Sequence, residues 1–186
     1  MSYIVPTNEL TLGDIKNFKI AAIKAGIDRA LALGLARVET ELVVRTAFPF
    51  TDFPNGWVIE EYRNPAIAAV GWGSVFDAGA VPAFAPVLAN SKVAVFYKFA
   101  DYDQNPAITA VRFRVGGTGA TTKATFFLQL ETNAKIEPDV YFTEPVVYDP
   151  QDTVYIEAYY NAIIGALTEQ FAFGCFLIER AGANVS

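Results

Sequence analysis

Thr121-Thr122-Lys123-Ala124-Thr125-Phe126-Phe127-Leu128-Gln129-Leu130-Glu131 places Ala124, Phe126, Leu128 and Leu130 on one parity and Lys123, Thr125, Gln129 and Glu131 on the other, with Phe127 the exception. A period of two marks a strand with one face buried and one wetted. Working outward, residues 92–100, 108–115, 140–143, 153–160 and 169–179 carry similar short runs, divided by breaks that bear Gly, Pro, Asn or Asp. Upstream, 37–48 reads as a long half-exposed strand and 58–63 as a further one. Residues 64–92, rich in Ala, Gly and Pro, predict loops with one or two short strands. Strands divided by turns rather than helices predict a mainly β fold, an antiparallel β-sandwich of about eight strands, jelly-roll-like or Ig-like.

Ahead of the strands the period changes. Residues 1–10 read as an extended lead-in fixed by Pro6, and Thr11-Leu12-Gly13-Asp14 has the form of a capping box with Asp in place of the preferred Glu or Gln. Ile15, Phe18, Ile20, Ala22, Ile23, Ile27, Ala30 and Leu31 follow at helical spacings, in one helix or in two broken near Gly26, with Gly34 as the C-terminal cap. The chain therefore divides into an extended and helical arm, 1–35, and a β-sandwich domain, 36–186. The apolar stripe of the arm must cover either the sandwich of its own subunit or that of a neighbour.

Composition narrows the classes of function. The chain has 186 residues, enough for one domain with a real core and neither disulfide nor metal. Hydrophobic residues make up 53% and charged residues 18%, a balance that leaves apolar surface to hide in association. A net charge of −6 and a pI near 4.7 argue against a nucleic-acid partner, which needs a concentrated positive field. Lys16, Lys19 and Lys24 are accompanied by Asp14 and Asp28 and read as a solvated face. No signal-peptide pattern and no long uncharged apolar segment points to export or to a membrane. The lone Cys175, inside an alternating run, reads as a buried structural thiol. With no histidine, Ser-His-Asp and Cys-His relays and most zinc sites cannot be built.

The remaining motifs fail on spacing. Gly116-Gly117-Thr118-Gly119-Ala120-Thr121-Thr122-Lys123 lacks the phosphate-loop order and runs into a strand, so it reads as a hairpin. Asp101-Tyr102-Asp103-Gln104-Asn105 starts like a Ca²⁺ loop, but Pro106 stands where Gly is needed and Arg112 where a bidentate Glu is needed. An Asx turn before Pro106 is the favoured reading, with a Ca²⁺ site between loops as the alternative. The carboxylate pairs Glu60/Glu61, Glu137/Asp139 and Asp149/Asp152 read as exposed charge or turn chemistry rather than glycosidase acids. Tyr141, Tyr148, Tyr155, Tyr159 and Tyr160 read first as sheet and core aromatics. The loop 48–57 holds Phe48, Phe50, Phe53 and Trp57 between prolines, either tucked over the core edge or forming an aromatic contact surface. No cofactor is expected.

A helical or extended arm, an acidic sandwich without histidine, and the run Asn105-Pro106-Ala107-Ile108-Thr109-Ala110-Val111-Arg112-Phe113-Arg114-Val115 feeding a Gly-rich hairpin resemble virion proteins. The nearest class is the decoration, or cement, proteins of tailed-phage heads, with single-jelly-roll capsid proteins next. The resemblance is one of architecture across the whole chain, and no site residue transfers by motif. It implies a non-enzymatic subunit, often trimeric, that reinforces a capsid lattice over a major capsid protein on the virion surface, after synthesis in the host cytoplasm. Ile15, Phe18, Ile23, Ile27 and Leu31 of the arm and Phe48, Phe50, Phe53 and Trp57 of the loop are then the expected interface. A carbohydrate-binding sandwich that uses Trp57, Trp72 or the tyrosines is the rival reading.

Overall fold

The computed structural model describes residues 4–6, 10–47, 62–63, 66–75, 87–103, 107–116, 121–128, 139–166 and 168–182. Among these residues ten strands and one α-helix follow in the order β1 (Ile4–Pro6), α1 (Leu12–Ala32), β2 (Leu42–Thr46), β3 (Tyr62–Arg63), β4 (Gly71–Ser74), β5 (Lys92–Asp101), β6 (Ile108–Val115), β7 (Thr121–Phe127), β8 (Asp139–Tyr148), β9 (Val154–Tyr160) and β10 (Gln170–Arg180). One sheet has the order β1-β8-β5-β10-β2, with β3 on the same edge of β10 as β2. The other has the order β4-β9-β6-β7.

The pairing decides between the two sandwiches the sequence left open. From the central hairpin β6·β7 outward, β5 pairs β8, β4 pairs β9 and β3 pairs β10, all antiparallel. Such a nest of pairs, folded over so that alternate pairs fall in opposite sheets, is a jelly roll. Between the sheets lies an aromatic core. Phe126 and Phe142 stack at 4.0 Å, and Phe113 meets Phe96, Phe126, Phe142 and Phe173 at tilted or edge-on angles, the arrangement ring quadrupoles favour.

A second apolar layer lies on the outer face of the six-stranded sheet, where α1 packs on Val93, Val95, Tyr97, Tyr141 and Ile178. That cover explains why residues 92–100 are apolar almost without alternation: β5 is buried on both faces. The helix is one piece. Thr11 Oγ1 accepts from the Asp14 N–H while the Asp14 carboxylate accepts from the Thr11 N–H, so Asp completes the capping box despite its shorter side chain. At the other end Gly34, at φ +73°, donates to the Leu31 carbonyl, and Leu35 donates to the Ala30 carbonyl. These two bonds make a Schellman turn around a left-handed glycine.

Four boundaries differ from the sequence reading. The strand expected over 121–131 ends at Phe127, and 129–131 lie outside the described residues. The strand expected over 37–48 is only Leu42–Thr46, preceded by a 3₁₀ turn at Glu39–Glu41. Its ladder starts where Leu42 meets Arg180, the last residue of β10, so residues 37–41 have no strand to pair with. The strand expected over 140–143 runs on to Tyr148 through Pro145. The register against β5 shifts between Phe96 and Lys98, and this irregularity accommodates a residue with no N–H to give. Of the strand expected over 58–63, only Tyr62 and Arg63 lie among the described residues, on β10. The Gly117–Ala120 tip of the hairpin lies outside them.

Candidate protein interface

The arm residues singled out in the sequence lie on the protein's own sheet. Ile15, Phe18 and Ile27 pack into the layer under α1, with Phe18 stacked on Tyr141 at 5.7 Å, while Ile23 and Leu31 are half-buried. The closest approach is made by small residues that the stripe of large ones conceals. Ala22, Gly26 and Ala30, spaced by four, are the fully buried positions of the helix. A Cβ on Gly26 would lie 2.7 Å from Val95 Cγ2 and still closer to Ile178, so only glycine lets the helix axis come this near the sheet. What α1 leaves in solvent is Leu12, Ile20 and Leu33, together with Lys16, Lys19 and Lys24. Phe48, Phe50, Phe53 and Trp57 lie outside the described residues.

The outer face of the four-stranded sheet carries a different apolar feature. Trp72 of β4 pairs with Tyr159 of β9, Tyr159 with Ala110 of β6, and Ala110 with Phe127 of β7. Directly paired residues share a face, so these four form one row across all four strands. Phe127, the parity exception in the sequence, is the outward member at the β7 edge and is 73% exposed, whereas Phe126 beside it is buried in the core. Trp72 and Tyr159 are half-buried and meet edge-on at 5.4 Å.

The next row is polar: Ser74, Glu157, Arg112 and Thr125. Arg112 Nε donates to Glu157, and Arg114 Nη1 adds a second bond at 3.1 Å, which satisfies a carboxylate that is 6% exposed. The Arg112 guanidinium also lies over the Trp72 ring, 4.2 Å from its centroid. This ion-paired row holds the flat side chains of the apolar row in place.

The motifs weighed for chemistry turn out as turns and ties. Asp103 N donates to Asp101 Oδ1 at 3.1 Å, the expected Asx turn, but Asp101 itself is buried. Asp149 and Asp152 close one turn, Asp149 N donating to Asp152 Oδ2, and are met by Arg29 and Lys123 respectively. Hydrogen bonding to Arg29 holds the Asp149 carboxyl below its ordinary range. Asp139 pairs with Lys98 at 2.8 Å. Cys175 is buried in the core. Of the five tyrosines, Tyr141, Tyr148, Tyr155 and Tyr160 are buried, and Tyr159 is the half-exposed member. Among the described residues, no three Cys, Asp or Glu side chains group as metal ligands, and no helix is long and apolar enough to cross a membrane.

No family model matches the chain, and no curated protein matches it. Among solved structures it is similar to VP2 of infectious bursal disease virus in a subviral particle, at 11% identity and a TM-score of 0.35, over 76% of this chain and 34% of that one. It is likewise similar to a structure of the Gx strain of infectious bursal disease virus, at 10% identity and a TM-score of 0.35, over the same shares of the two chains. The protein thus spans about a third of the length of the chains it resembles.

Proposed function

We propose that the protein is a non-enzymatic structural virion protein, a jelly-roll subunit that assembles with copies of itself as a trimer and stabilises a capsid lattice at the virion surface through contacts with a major capsid protein. The observation that carries this reading is the row Trp72, Tyr159, Ala110 and Phe127. An exposed phenylalanine on an edge strand is an association surface rather than a catalytic one. Jelly rolls serve capsid proteins, lectins and cupins. A chain without histidine does not suit the last of these, whose metals are typically held by imidazole.

The row also weighs against the carbohydrate reading. Trp72 already has a guanidinium over its ring, and Phe127 has no polar atom to orient a sugar. Burying Phe127 against a neighbour stabilises by about 1.5–3 kcal/mol, and a specific interface needs about 800 Å² per partner, more than one row supplies. The aromatic run Phe48, Phe50, Phe53 and Trp57 is the second proposed contact. The arm, occupied on its own sheet, contributes only its outer residues.

Sedimentation equilibrium tests the reading. The wild-type protein is expected at three times its chain mass, and Phe127→Glu at chain mass while still unfolding cooperatively, at a melting temperature lowered by the lost association. A wild-type monomer at every concentration, above all one that binds on a glycan array, would replace this reading with the carbohydrate-binding one.

A further inference from the structure

At one end of the sandwich, four polar side chains that no interface uses converge. Asp101 closes β5 and is 4% exposed; Glu169, just before β10, is 2% exposed; Tyr160 closes β9 with no exposure; Asp103 lies two residues beyond Asp101. Glu169 Oε1 accepts the N–H of Ala107 at 2.5 Å and of Ile108 at 3.1 Å, so a carboxylate beside the six-stranded sheet holds the first residues of a strand in the other. Asp101 Oδ1 is taken by the Asp103 N–H, but Asp101 Oδ2 and the Tyr160 hydroxyl are buried with no hydrogen-bond partner among the described residues. Among the described residues, the Glu169 carboxyl lies within hydrogen-bonding reach of Asp101. Two carboxylates have only acceptors to offer each other, so that contact needs a proton.

We propose that Asp101 and Glu169 share one proton and form a latch between the sheets, closed at neutral pH and released when Asp101 ionises. The proton sits on Asp101 Oδ2, the oxygen otherwise unsatisfied, and is donated to Glu169, which stays ionised on its two amides. Burial and then the neighbouring Glu169 push Asp101 up to about 8. Glu169 is raised by its own burial, while the Ile108 and Ala107 amides pull it back. Among the described residues, the groups that face the pair are Asp103, which adds a like charge, and Tyr160, whose hydroxyl is held neutral by burial. In register, Arg63 of β3 stands opposite Gln170, next in sequence to Glu169. Loss of the shared proton leaves two adjacent buried anions. The contact that gives way joins the end of β5 and the start of β10 to the start of β6. This latch is independent of the virion reading and stands or falls without it.

Hydrogen exchange on the wild-type protein provides the test. With the intrinsic base-catalysed slope removed, protection of the Ala107 and Ile108 amides should fall with rising pH between the ordinary Asp101 value of 3.8 and its folded midpoint near 8, by up to about tenfold per pH unit, and level off above that midpoint. Asp101→Asn keeps a donor for Glu169 and removes the titration, so its protection should stay flat. Infrared spectra of the wild type should show a protonated-carboxyl C=O band at neutral pH that disappears as pH rises through the Asp101 midpoint near 8, a readout that needs no variant. Wild-type protection that stays flat from about pH 4 to about pH 8 once the intrinsic slope is removed would overturn the latch. So would parallel loss in Asp101→Asn, or the absence of the carboxyl band.

Discussion

Gly26 and Asp101 show how single side chains set the balance of this molecule. In an exposed helix Gly→Ala stabilises, because alanine loses less backbone freedom. At Gly26 the added Cβ runs into Val95 and Ile178 of a sheet that is buried on both sides. Overpacking of this kind costs about 1–3 kcal/mol, so Gly26→Ala should lower the urea midpoint rather than raise it. A raised midpoint would mean that the helix can slide away from β5 and β10. Asp101 acts through the proton it holds. Unfolded, it releases that proton near its ordinary value of 3.8; folded, near 8. Between these values the native state binds the extra proton, so wild-type stability falls as pH rises through the window and is lowest above it. Urea titrations across that range should show the decline, and Asp101→Asn should remove most of it.

The helix gains its stability from caps and from the layer beneath it. Thr11→Ala removes the side-chain half of the capping box and leaves the backbone N–H of residue 11 on the Asp14 carboxylate, and it should cost about 1 kcal/mol in denaturant titration. Removing residues 1–35 is far more damaging. The cut strips β1 from β8 and uncovers Val93, Val95, Tyr97, Tyr141 and Ile178, so the truncated chain should bind ANS and aggregate. A soluble, monodisperse truncation would show instead that the arm is a separable unit. The helix with both caps, and β6, β9 and β10 to within a residue, were legible in sequence because each follows from local spacing and end chemistry. β8 was read short because Pro145 ends a strand by local rules, and only its partner's irregular register shows that this one continues. The row Trp72, Tyr159, Ala110 and Phe127 left a single local trace, the broken parity at Phe127. Its members are up to 87 positions apart in the chain, Trp72 to Tyr159, and meet only through strand pairing.

At the scale of the whole molecule, net charge sets how copies meet. Each chain carries −6, so copies repel at low ionic strength. If they join through an apolar row, raising salt from about 10 mM to about 150 mM shortens the Debye length from about 30 Å to about 8 Å and should tighten assembly, measured by sedimentation equilibrium. Weaker assembly in salt would point to an interface of paired charges. The sequence by itself determined that this chain is a mainly β sandwich with a capped helix before it, acidic and without histidine. Period, turn residues and composition are local or additive properties, readable one window at a time. Only the tertiary structure decided that the sandwich is a jelly roll and that the helix covers its own sheet. It alone aligned one aromatic row across four strands and buried Asp101 beside Glu169. Each of these depends on pairing between distant segments, which burial and hydrogen-bond satisfaction select over the whole chain and which no single stretch encodes.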